Sequence, residues 1–202
     1  MSAFESMIAQ GFPAHLAAQM AAEVLSQYGE EPCTREQAAA HEAGHWVIGD
    51  TLGLAPYRRL RLFKRQDLWL GENIEVNPAE AHILEDLDGY QVRALQMIGG
   101  FVGELVAGHC HPASSIDERA SLMASCCTLA RVHGGQPEHL FASAVVVAVE
   151  IIQTRCDAFD LVRHHLERER RILRPRLDRL SQPNPAPWLR RWRELAATPS
   201  KG

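Results

Sequence analysis

A mainly α-helical fold with one short antiparallel β pair is what this sequence predicts, and three observations carry the prediction. Apolar residues recur at helical spacing, as in Leu16, Met20, Val24 and Tyr28. Helix boundaries are legible: Thr34 and Ser114 or Ser115 suit N-caps, and Gly53 and Gly134–Gly135 suit stops. Only residues 57–76 alternate in the manner of strands.

Residues 1–31 read as an N-terminal helical extension of one or two helices, with Pro13 in the first turn of the second. Gly29 to Pro32 breaks the chain. The next helix spans about Arg35 to Leu52. Thr34 caps it, and Gln37 at the third helical position completes a capping box. Tyr57–Phe63 and Leu68–Val76 form the antiparallel pair, separated by Lys64–Asp67. Asn77–Pro78 and Asp86–Gly89 are breakers. Tyr90 to Gly108 reads as a helix despite Gly99, Gly100 and Gly103. Those glycines make sense if another helix approaches closely, the Arg35–Leu52 helix being the obvious neighbour. His109 to Pro112 is a loop. Residues 115–133 and 138–152 read as helices. Thr154–Leu180 reads as a long amphipathic helix whose Arg and Glu residues form a salt-bridged exposed face. Pro183, Pro185 and Pro187 read as a stiff linker to a short tail, WLRRWREL, that docks on the domain or on a partner. Three segments follow: 1–31 extension, 32–181 main domain, 182–202 linker and tail.

Composition narrows the function classes. The chain is net −4, with residues 157–202 at +5 and the rest at −9, so a general nucleic-acid role is not expected. Five Cys, an odd number with Cys126 and Cys127 adjacent and no C-x-x-C, do not form a disulfide framework. A reducing, cytoplasmic setting is the expectation. The longest apolar stretch, Ala144–Ile152, is interrupted by Glu150 and too short to span a bilayer, so no membrane insertion is expected.

The chemistry concentrates in AHEAGHW, Ala40–Trp46. His41 and His45 are four apart, so on a helix both imidazoles lie on one face and can meet one metal ion. Glu42 is placed to reach a water beside that ion. Two neutral nitrogens holding Zn2+, with a carboxylate as general base, are the minimal kit for zinc-assisted hydrolysis. A catalytic zinc takes three protein ligands, and no third histidine follows at short range. Glu104, His109, His111, Asp117 and Glu118 are the candidates further on.

Four blocks together resemble the FtsH-type protease domain, the zinc peptidase module of the membrane-anchored AAA+ proteases. They are AAAHEAGHWVIG, YRRLRLFKRQDLWLGENIEV with Gly71 in its second strand, MIGGFVGELVAG, and SSIDERASLMA. The resemblance covers about residues 34–175 and implies a helical FtsH-like peptidase fold. It also implies that Asp117, at the matching distance past His45, is the third zinc ligand, so that the metal set is His41, His45 and Asp117. The chain departs from the family in carrying no G-x-x-x-x-G-K-[ST] phosphate loop and no transmembrane helix, and in having Trp46 where a small residue is usual.

The expected activity is that of a zinc metalloendopeptidase acting on unfolded or flexible polypeptides, with Glu42 as base. A peptide would lie extended along the 57–76 strand pair. A separate ATPase or self-association would supply opened chains. The rival expectation is a zinc-binding regulatory or interaction module that does not cleave.

Overall fold

The structure is a computed structural model that describes residues 33–54, 57–75, 87–109 and 115–197. Readings of the 1–31 extension, the 77–78 breaker and the Cys110–His111 loop fall outside the described residues.

Eight helices and three strands are formed among the described residues: α1 (Arg35–Thr51), β1 (Tyr57–Arg65), β2 (Leu68–Glu75), α2 (Leu87–Met97), α3 (Gly99–Ala107), α4 (Ile116–His133), α5 (Pro137–Thr154), α6 (Cys156–Glu169), β3 (Arg171–Leu173), α7 (Arg174–Asp178) and α8 (Pro185–Ala197). The mainly helical class and the antiparallel pair therefore hold. The Thr34 cap forms the expected capping box with Gln37.

Helix α1 is the hub. It packs against α3, α5, α6 and β2. Its alanines 38, 39, 40 and 43, with Trp46, Val47 and Ile48, are buried. Small residues let neighbours approach. A Cβ on Gly44 would lie 2.2 Å from the Gly99 carbonyl oxygen, and one on Gly103 would lie 2.3 Å from that of Ala40. The α1–α3 contact is thus nearly backbone on backbone, as the glycines of α3 led us to expect.

Three elements differ from expectation. The helix over 90–108 is two helices, because Ile98 leaves helical geometry (φ −87°, ψ 1°) between α2 and α3. The helix over 154–180 is also broken. Arg170 adopts a left-handed conformation that ends α6, and Arg171–Leu173 adds to the sheet as β3. Ile172 is buried there, and Pro175 sits in the first turn of α7, where proline fits a helix start. The sheet order is β2–β1–β3, so β1 is central. The third departure is the tail: it is not a linker and short appendage but helix α8, whose Leu189 and Trp192 are buried. The Trp192 indole N–H donates to the Leu140 carbonyl (3.2 Å), and Arg191 pairs with Glu150 at 3.0 Å. The tail docks on its own domain.

No single described helix is long and apolar enough to cross a membrane.

Candidate metal centre

His41 and His45 leave α1 one turn apart, their ring centroids 4.9 Å apart and nearly perpendicular. Both Nε2 atoms face one oxygen, Oε1 of Glu118, at 2.9 and 2.8 Å. Among the described residues, His41, His45 and Glu118 are the group able to hold a metal ion, their ligand atoms lying within 4.8 Å of one another.

The other ring nitrogens are tied back. His41 Nδ1 donates to Glu104 Oε1 (2.7 Å), and His45 Nδ1 donates to the Gln96 carbonyl (3.0 Å). A proton held on Nδ1 leaves the Nε2 lone pair for a cation, the arrangement in which second partners orient histidine ligands. Glu118 is anchored too: its Oε2 accepts the Phe101 amide at 2.9 Å.

The α2–α3 break explains two of these contacts. The last carbonyls of a helix and its first amides have no partner within that helix. Gln96 lies at the end of α2 and Phe101 in the first turn of α3. An unbroken helix would spend both groups internally. The break offers the carbonyl to His45 and the amide to Glu118.

Asp117, expected as the third ligand, is not in the group; the next residue, Glu118, is. Successive helical residues point about 100° apart. On α4 Glu118 turns toward α1, while Asp117 is exposed. Glu104 is fully buried and serves His41. His109 is exposed and stands apart from the group, and His111 lies outside the described residues.

Glu42 is buried, and its Oε2 has no hydrogen-bond partner among the described residues. Burial raises its pKa, although the nearby His45 and His41 pull the other way. Gly71 of β2 backs onto it: a Cβ there would fall 2.1 Å from Glu42 Cγ. Gly100 guards the metal group in the same way, since its Cβ would lie 2.3 Å from His41 Nε2 and 2.5 Å from Glu118 Oε1.

The electrostatics follow the geometry. Burial alone would lower His41, but hydrogen bonds to Glu104 and Glu118 outweigh it and hold the imidazole well above its ordinary value. His45 is likewise raised: burial would lower it, and the Glu118 carboxylate prevails. Burial would raise Glu118, yet the charge of His45 and the hydrogen bonds from both imidazoles hold its carboxyl well below the usual range. A positive charge at the convergence point is therefore strongly favoured, whether proton or metal.

A cleft of about 190 Å³ opens beside the group, lined by Cys33, Ala38, His41, Glu42, Trp69, Leu70, Gly71 and Glu104. Trp46 is not on it. It lines a separate small cavity with Asp50 and Leu54, and Arg155 stacks on its ring.

Among the described residues no strand pairs with the outer edge of β2, which borders this cleft. Leu62 N–H donates to the Arg170 carbonyl on the β3 side (2.7 Å), and Trp69 N–H points outward to the Cys33 carbonyl (3.1 Å). Trp69 faces Lys64, Gly71 faces Leu62 and Asn73 faces Leu60. With pairs alternating along an antiparallel ladder, Gly71 and Asn73 also turn their backbone groups outward.

The sequence matches no protein-family model and no curated protein.

Proposed function

We propose that the chain is a zinc-dependent peptidase that hydrolyses peptide bonds in unfolded or flexible polypeptides. The carrying observation is the convergence of two imidazole Nε2 atoms and one carboxylate oxygen, with both Nδ1 atoms tied back. Two nitrogens and one oxygen suit zinc and leave a fourth position for water or substrate. Its third protein ligand in this reading is Glu118. Bound there, zinc would polarise the scissile carbonyl and make a water acidic enough to attack at neutral pH.

The chain's own groups do the rest. His41, His45 and Glu118 hold the ion. Glu42, close to both histidines and with a free oxygen, takes the proton of the attacking water and passes it to the leaving amine. Its raised pKa moves it toward the working range of a general base. Gly71 and Asn73 offer outward amides and carbonyls to an extended peptide. No folded chain fits a cleft of about 190 Å³, so substrates must arrive open. A separate ATPase or self-association would supply them.

The order of parts supports the FtsH-type relationship: a HEAGH helix, a glycine-rich helix in contact with it, and an acidic ligand early in a later helix. A glutamate would stand for the family's aspartate. Burial of Glu42 favours the rival reading, a zinc-binding module that does not cleave. The two separate on unfolded casein: chelator-sensitive degradation that Glu42→Gln abolishes supports the enzyme. Zinc-loaded protein that leaves casein intact supports the module.

A further inference from the structure

We propose that the cleft takes the carboxyl-terminal end of a peptide, with Arg35 and Arg170 receiving the terminal carboxylate. The inference rests on the peptidase reading and gives that site its substrate class.

The first observation is that one end of the β2 edge is already occupied. Trp69 N–H is taken by the Cys33 carbonyl, so an added strand finds its pairing groups at Gly71 and Asn73 and meets the protein's own chain at Trp69. Trp69 lies two residues from Gly71, about 7 Å along the strand, and Gly71 backs onto Glu42. Room therefore exists for about two substrate residues between the general base and the blocked end. A longer chain would have to bend away there.

The second observation is charge. Guanidinium groups of Arg35 and Arg170 pack on the Trp69 ring, 5.4 and 5.2 Å from its centroid. Arg35 donates through Nη2 to the Arg168 carbonyl (2.8 Å), and its buried Nε has no partner among the described residues. Among the described residues, no carboxylate forms an ion pair with either arginine. Glu104, the other acid beside Glu42 on the cleft wall, has its carboxylate on His41. Two cations packed on the ring of Trp69, the residue at which the strand position ends, fit a terminal carboxylate and disfavour a terminal ammonium.

The test uses the zinc-loaded full chain and an eight-residue alanine–leucine peptide, as the free acid and as the carboxyl-terminal amide. Products are read by mass spectrometry. The expected result is release of one or two residues from the carboxyl end, with the amide turned over about tenfold more slowly, the loss of one charge-assisted contact. Replacing both arginines by glutamine should remove the acid–amide difference while zinc content stays unchanged. Internal cuts at equal rates for acid and amide would overturn the proposal. If neither peptide is cut, calorimetry on zinc-loaded Glu42→Gln decides. Tighter binding of the acid keeps the carboxylate site and rejects the peptidase reading. Equal binding, or none, rejects the site.

Discussion

Glu118 and Asp117 are neighbours in sequence, yet Glu118 joins His41 and His45 and Asp117 does not; the difference is a rotation of about 100° on a helix. Substituting each by alanine separates them. Glu118→Ala should lose metal on dialysis, whereas Asp117→Ala should keep it, both read by metal analysis. Glu104→Gln keeps shape and removes the charge behind His41; it should weaken metal binding about 10- to 100-fold, the usual effect of losing a partner behind a ligand. Glu42→Gln should bind metal normally and lose about 10²- to 10⁴-fold in turnover, the worth of a general base. Protons and metal compete for the imidazoles. Because Glu104 and Glu118 hold His41 well above its ordinary value, metal must displace protons from the pair. Uptake should therefore weaken as pH falls from 8 to 6, with proton release on binding measured in weakly buffered solution. Uptake independent of pH over that range would contradict the assignment.

At the scale of elements, the glycines and the helix break matter most. Gly100→Ala places a methyl 2.3 Å from His41 Nε2 and should abolish metal uptake while the helix content by circular dichroism stays the same. Gly71→Ala instead presses on Glu42 and should lower turnover with metal retained. Much of this level was legible in the sequence. The cap at Thr34, the His41–His45 face and the close approach implied by Gly99, Gly100 and Gly103 all follow from residue type and spacing. The α2–α3 break was missed although Gly99–Gly100 directly follow Ile98: single glycines are tolerated inside helices, so residue type alone did not tell a close helix contact from a break. Strand β3 was missed although Pro175 stood in the expected helix: the salt-bridge pattern of Arg and Glu masked a proline that helices tolerate only at their start. Whether Asp117 or Glu118 meets the two histidines hung on one residue of register. Sequence spacing does not resolve that without knowing where α4 begins.

At the scale of the whole molecule, the carboxyl-terminal helix completes the core. Trp192 of α8 is fully buried, its indole N–H donating to the Leu140 carbonyl. Trp192→Ala should cost about 3–5 kcal/mol, as large aromatic truncations in cores do, read as a lower denaturant midpoint with an unchanged slope. An effect within about 0.5 kcal/mol would mean that the tail does not dock. Around that core, α1 carries two imidazoles to a carboxylate from α4 and Glu42 to the edge of a sheet, and the proposed metal centre is that meeting point. Zinc stoichiometry after exhaustive dialysis tests it most directly, on the full chain and on His41→Ala, Asp117→Ala and Glu118→Ala. One zinc per chain is expected, kept by Asp117→Ala and lost by the other two. A wild-type protein that takes up no metal, or a Glu118→Ala protein that holds it as tightly as wild type, would contradict it.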